Sequence, residues 1–509
     1  MSDYSSSPGS EPKAPSETVA EHQPLTAMEE KAILRRIDLC RGVELTQKLA
    51  NTNLTSFSLL PLMFVSYLLQ YLDKTAMSYT SILGLLPGTH MNTDQYSWAS
   101  SAFYFGYMVA SYPVSIGFVK FPIGKYLSIM MIIWAIILTC HAAASSFAGI
   151  TTLRVLLGVF ESAISPGFTI VIGMWYTPSE HALRSCIWFA GNGVASIFGG
   201  VLSYAIGHVH NRLVYQWVFI IFGIITLVWS IFQFFVLPDS PLNAKFLSPS
   251  QRGPAYRRAQ ACQKTYQSRE WKKDQFIEAL IDPKTWFLFT YNFLVSLPNG
   301  GITNVNAHQF SSLVIASFGF DTFNTLLYTI PMAAVALIFL LLSAVTCNRF
   351  RGLRCYWMII TLLVSLIGIL LMRQLPASGW SRSLARDSPS ALVLVSSNFA
   401  GFTKKSTVTA ILFIGYCVGN IAGPQLFKKN QAPHYYSAFA AILACFCIAV
   451  LDVVLLRVYM VWENKRRDRK QGRVIEPETK EVEDSGDSTA GKEVGDVSDW
   501  QNPNFRFCL

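Results

Sequence analysis

Apolar residues along this chain are gathered into long runs separated by short polar stretches. A helix that crosses a bilayer needs about 20 mostly apolar residues. Runs meeting or nearly meeting that length recur at 57–82, 97–119, 127–147, 152–175, 185–206 and 215–237. A polar stretch from Pro238 to about Asp282 follows, and then further runs near 284–303, 323–346, 354–373, 388–401, 406–427 and 435–461. The pattern predicts an all-α polytopic membrane protein of two six-helix halves, spans 1–6 and spans 7–12. The expected order is a disordered cytoplasmic tail at 1–55, a first half at 56–237, a central cytoplasmic loop at 238–283, a second half at 284–462 and a cytoplasmic tail at 463–509.

Positive charge orients the spans, because basic residues near the membrane stay on the cytoplasmic side. The connections between spans 1 and 2 and between spans 3 and 4 hold no Lys or Arg, so they face outward. Arg35, Arg36, Arg41 and Lys48 precede span 1, Lys120 and Lys125 follow span 2, and Arg184 opens span 5. The central loop carries nine basic residues from Lys245 to Lys284, and Arg466, Arg467, Arg469, Lys470 and Arg473 follow span 12. Within that loop "EWKKDQFIEALIDPKTW" has helical spacing, with Trp271, Phe276, Ile277 and Leu280 as its apolar positions. It predicts an amphipathic helix along the cytoplasmic membrane surface. The two ends, Ser-, Pro- and Glu-rich to about 28 and acidic and polar from about 474 to 500, read as disordered.

Composition agrees with this picture. Of 509 residues, 51% are hydrophobic and only 14% charged, which excludes a soluble enzyme of this length. A formal net charge of +10 suits either nucleic acid or anionic lipid, and its confinement to one side of the spans selects lipid. The ten cysteines form no CxxC pair and interleave with no histidines, so neither a zinc site nor a disulfide framework is read. "GNGVASIFGG" in span 5 follows no strand, so it reads as helix packing rather than a nucleotide loop. No catalytic residue, metal site or cofactor is expected.

Local motifs sharpen the fold. "YLLQYLDKTAMSYTSILGL" (67–85), "QYSWASSAFYFGYMVASYP" (95–113), "LLGVFESAISPGF" (156–168), "WYTPSEHALRS" (175–185), "WFAGNGVASIFGG" (188–200), "SLPNGGITNVNAHQ" (296–309), "SSNFAGFTKKS" (396–406) and "GYCVGNIAGPQLF" (415–427) run in order from about 50 to 465. Together they resemble the fungal allantoate permease subfamily of anion:cation symporters, within the major facilitator superfamily. The resemblance implies a major facilitator fold of twelve spans and carriage of small organic anions and nitrogenous compounds. Allantoate, ureidosuccinate, short peptides and vitamin-like acids are the examples, usually moved inward with protons across the plasma membrane.

Charges at membrane depth are the strongest candidates for chemistry, since each costs at least about 2.5 kcal/mol to insert and should face a cavity or a partner. Span 1 has sixteen apolar residues before Asp73 and Lys74, so a full span continues past both. Lys74 reads as a cation for a substrate anion and Asp73 as its orienting or proton-linked partner, or else the two bond other helices structurally. The resemblance, in which this Asp-Lys-Thr element recurs, favours the first. Glu161 of span 4 reads as a proton-coupling carboxylate or as a permanent bond to a neighbouring helix. Arg154, seven residues earlier on the same face, lies about 10.5 Å from it along the axis, within reach of long side chains.

Pro166-Gly167 reads as a mechanical break in span 4. "SLPNGG" puts Asn299 beside a break in span 7, and discontinuous helices point to transporter sites. Tyr416, Asn420 and Gln425 of span 11 either hydrogen-bond a substrate or glue helices together. His308 near the outer end of span 7 reads as a satisfied polar residue, and Tyr104, Phe105 and Tyr107 as packing unless they line the cavity. Span 10 departs from the family, because Arg382, Arg386 and Asp387 interrupt it and only about 389–401 remains apolar, too short for a normal span.

The leading expectation is proton-driven import of a small organic anion by alternating access. Efflux of a biosynthetic-cluster metabolite and a non-transporting nutrient sensor are the alternatives. The expected partners are a small-molecule substrate, protons and the lipid bilayer, with no nucleic acid, and a monomer is expected.

Overall fold

The computed structural model describes residues 59–176, 178–208, 213–244, 247–261, 272–300, 329–349, 352–374, 402–426, 431, 436–471, 498–502 and 506–507. Among these there is helix and no strand. The atypical span 10, His308 and the N-terminal tail lie outside the described residues.

Helix α1 (Leu59–Ile82) is span 1 and α2 (Thr93–Lys120) is span 2. Between them Gly84 takes φ 95°, a left-handed turn that side chains disfavour. Asn92 caps α2 in a reciprocal box with Gln95, its side chain accepting from the Gln95 N–H at 2.8 Å and its own N–H donating to Gln95 Oε1 at 3.0 Å. Helix α3 (Ile123–Cys140) is span 3. Span 4 is broken in two, α4 (Phe147–Glu161) and α5 (Ile164–Trp175). The break stands just ahead of Pro166, which has no N–H to bond the carbonyl four residues back. Span 5 is likewise split, into α6 (Pro178–Phe189) and α7 (Gly191–Gly207), and α8 (Val214–Val236) is span 6.

The central loop supplies α9 (Pro249–Ala261) and α10 (Lys273–Ile281). The second half follows as α11 (Pro283–Asn299), α12 (Thr329–Arg349), α13 (Arg354–Gln374), α14 (Phe402–Ala422) and α15 (Tyr436–Gln471). These correspond to spans 7, 8, 9, 11 and 12.

Each half has its own core. In the first, α2 packs on α4, α3 on α8 and α1 on α7, around Trp134, Phe168, Trp175 and Phe219. In the second, α11 packs on both α14 and α15, around Leu288, Leu412, Ile442 and Phe446. The halves meet along two seams, α2 against α14 and α6–α7 against α12.

Outward faces are apolar, as a lipid-facing surface requires, with Val109, Val228, Phe235 and Ile338 among the most exposed large side chains. Six of the described helical stretches are long and apolar enough to cross a membrane. The α1 helix is less apolar for a physical reason. Its polar residues Ser66, Gln70, Asp73, Ser78 and Thr80 are buried inside the bundle rather than set against lipid.

One expectation is corrected. The tail does not stay unstructured to about 500, because Ser498 and Asp499 are fully buried against the second half. Helix α10 buries Gln275, Glu278 and Ala279 against the second half, where Glu278 pairs with Lys404, and turns Ile277, Leu280 and Ile281 outward.

Candidate functional site

Lys74 and Tyr416 come from opposite halves of the chain and meet across the α2–α14 seam. Lys74 Nζ donates to the Tyr416 hydroxyl at 2.8 Å. The ammonium also lies 5.8 Å from the Tyr104 ring centroid and 5.5 Å from that of Tyr416, within cation–π range. Around it the rings of Tyr104, Tyr107, Phe413 and Tyr416 contact one another at 5.8–6.5 Å, in tilted and edge-on pairs. Two of the span 2 aromatics read as packing are thus part of the wall around Lys74.

The neighbour in sequence goes elsewhere. Successive helix positions differ by about 100°, so Asp73 points into the first half while Lys74 points to the seam. Asp73 is fully buried and its Oδ2 accepts a hydrogen bond from the Trp134 indole N–H of α3. Oδ1 has no hydrogen-bond partner. Arg154 of α4 is also buried, within electrostatic reach of Asp73. Its Nε and Nη2 make no hydrogen bond.

Glu161 closes α4 at the span 4 break. Its Oε1 accepts from Gln70 Nε2 at 3.0 Å, and its Oε2 has no partner. Gln70 is one turn before Lys74 on the same face of α1, so a single helix face presents both the carboxylate's partner and the cation. The seven-residue spacing made Arg154 a candidate partner of this carboxylate, yet the hydrogen bond comes from α1.

Asn420 lies one turn beyond Tyr416, fully buried, and its amide donates to the Tyr416 carbonyl at 2.8 Å. Its backbone is pressed against Gly300, where a Cβ would come within 2.6 Å of it. Asn299 ends α11 one residue before that contact. Asn299 and Asn420 therefore lie along the α11–α14 seam, whereas Lys74, Tyr416, Gln70 and Glu161 form one group between the halves.

The sequence reading missed Gln70 and Trp134. Both carried a signal, since Gln70 shares the Lys74 face at i and i+4, and a tryptophan N–H inside an apolar span needs an acceptor. Chemically, the arrangement offers a cation held by a neutral hydroxyl that an anion can replace, beside a carboxylate with one oxygen open to a proton.

Residues 63–424 match the family model described as Major Facilitator Superfamily. The chain is 35% identical over 468 residues to an uncharacterized transporter of Schizosaccharomyces pombe, covering 89% of this chain and 88% of that protein. Over 474 residues it is 33% identical to the allantoate permease of Saccharomyces cerevisiae, covering 89% and 85%. Among solved structures it resembles, with a TM-score of 0.51 and 15% identity, a bacterial homolog of the human lysosomal transporter Spinster in an inward-facing, unoccupied conformation, covering 78% of this chain and 94% of that one.

Proposed function

The chain belongs to the major facilitator superfamily, beside fungal transporters that include allantoate permease, and from that premise we propose that it imports a small organic anion together with protons by alternating access of its two halves. The substrate class is that of allantoate, ureidosuccinate and vitamin-like acids. The observation that carries this reading is the Lys74–Tyr416 bond between the halves.

A substrate carboxylate is a stronger acceptor for an ammonium than a neutral phenol, because charge-assisted hydrogen bonds are about twice as strong as neutral ones. Arriving between the halves, it replaces the Tyr416 hydroxyl on Lys74 and breaks the bond that links α1 to α14. The aromatic rings around the ammonium exclude water and strengthen the attraction. Glu161 is the coupling group of this scheme. A proton on its open Oε2 removes a negative charge from the α1 face that Gln70 and Lys74 share, so Lys74 is left to the substrate. Asp73, fixed by Trp134, and Arg154 balance charge within the first half. Asn299 and Asn420 hold α11 to α14 within the second half, with Asn420 bonded to the carbonyl of Tyr416.

The test is uptake of labelled allantoate, as the first candidate, into vesicles containing the purified chain, with and without an inward proton gradient. Gradient-dependent accumulation lost in Lys74→Ala supports the reading. Substrate affinity unaltered in Lys74→Ala removes the anion-binding role.

A further inference from the structure

A second charged cluster lies away from the transport site, where α11 and α14 begin and α15 ends. Asp499 stands between two buried lysines of different helices. Its Oδ2 is 2.6 Å from Lys284 Nζ of α11, and its Oδ1 is 2.7 Å from Lys404 Nζ of α14. Lys404 also meets Glu278 of α10 at 2.5 Å and Asp282 at 2.9 Å, and Lys284 meets Asp282 at 3.3 Å. Ser498 Oγ donates to the second oxygen of Glu278 at 2.6 Å.

Aromatic rings of the same terminal segment cover both ammonium groups, Phe507 at 3.8 Å from Lys284 and Trp500 at 5.0 Å from Lys404. The far side of the segment is held by α15. Asn464 exchanges two hydrogen bonds with the Phe507 backbone, at 3.0 and 2.9 Å. Arg467 donates to the Asp499 carbonyl at 2.9 Å, and Arg506 pairs with Asp468 at 2.7 Å and bonds Gln471 at 2.7 Å.

Such a set is a built site. Side chains of four helices converge on a short peptide whose carboxylate, hydroxyl, aromatic rings and backbone are each met by a matching group. Asp499 gives one carboxylate oxygen to each lysine, so it links the segment to α11 and α14 together, and breaking buried ion pairs of this kind is destabilising.

We propose that the ends of α10, α11, α14 and α15 form a peptide-binding site whose ligand is the chain's own residues 498–502 and 506–507, and that this docking ties the connector helix α10 to spans 7, 11 and 12. Ser498 is the position at which added negative charge releases the segment. A charged group there would stand against Glu278, with Asp282 and Asp499 in the same cluster, and like charges repel strongly where water is excluded. The site does not depend on which substrate is carried.

Hydrogen exchange of the full-length protein in lipid nanodiscs tests this. In the unmodified chain, amides at 498–502 and 506–507 should exchange at least about tenfold more slowly than in a free peptide spanning the same residues. Asp499→Asn and Ser498→Glu should erase most of that protection and also raise exchange in 273–281, with 123–140 unchanged, while Ser498→Ala keeps it. A segment that exchanges in the unmodified chain as fast as the free peptide overturns the proposal, and this comparison decides it even where a variant fails to fold. Unchanged protection in both charge variants overturns it as well.

Discussion

Lys74 on α1 donates its hydrogen bond to Tyr416 on α14, 342 positions away and in the other half of the molecule. It is a bond between a charge and a neutral phenol, and it joins the two halves.

Removing the cation should weaken substrate binding much more than removing the hydroxyl. Hydrogen bonds to charged groups contribute about 1.5–3 kcal/mol, so Lys74→Ala should raise the KM for uptake roughly tenfold to a hundredfold. Tyr416→Phe keeps the ring and releases the ammonium, so its KM should stay equal or fall. Initial uptake rates across a substrate series measure both. A Tyr416→Phe protein with the same rise in KM as Lys74→Ala would make the phenol part of the substrate site rather than its competitor.

Glu161→Gln should separate binding from coupling. The amide keeps the acceptor for Gln70 and cannot carry a proton, so substrate affinity should stay within about threefold while uptake stops responding to pH. Flux at fixed substrate, measured from pH 5 to pH 8, checks this. Full pH-dependent uptake in the variant would remove the coupling role.

A close helix contact sets a third expectation. At Gly158 of α4 a side chain would run into the backbone of α2, with Tyr107 N at 2.9 Å and the Phe103 carbonyl nearer still, whereas at Gly173 of α5 nothing stands within 4 Å. Overpacking costs about 1–3 kcal/mol. Gly158→Val should therefore lower the thermal aggregation midpoint of the detergent-solubilised protein by several degrees, and Gly173→Ala should leave it unchanged. Equal midpoints would show that α2 and α4 separate at little cost.

The docked segment should also be pH-sensitive with a defined sign. Burial pushes the Asp499 carboxyl up, but Lys284 and Lys404 outweigh it and hold the group below the usual carboxylate range. Glu278 and Asp282 face the same lysines, and Arg467 meets the Asp499 backbone. A group with a depressed folded-state pKa stabilises above its unfolded value and loses that contribution as pH falls through the folded value. Protection of 498–502 and 506–507 should thus hold from pH 7 to pH 5 and fade only below about 3.9, the unperturbed aspartate value. Loss of protection between pH 7 and pH 5 would contradict the ion pairing.

The long spans were legible because lipid leaves the backbone no option but continuous helix, and the cost of charge at depth singled out Asp73, Lys74 and Glu161 before any geometry. Pro166 foretold the break in span 4. What the sequence hid was partnership. Lys284 and Lys404 count toward the basic side of the membrane when read in order, yet both are neutralised by acids, one of them in a tail whose composition reads as disordered. No local spacing joins Asp499 to residues in α11 and α14. Similarly, α10 has the spacing of an amphipathic helix, and only its buried Glu278 reveals which edge faces the protein.

The α2 helix touches both halves, but by unlike materials. Toward α4 the contact is bare backbone at Gly158, with no side chain between to yield. Toward α14 it is a stack of rings, Tyr104 and Tyr107 against Phe413 and Tyr416. Rings have no hydrogen-bond register to break and can slide past one another. α2 is thus joined to its own half by backbone and to the other half by rings, and beside that ring face Lys74 of α1 reaches Tyr416 of α14.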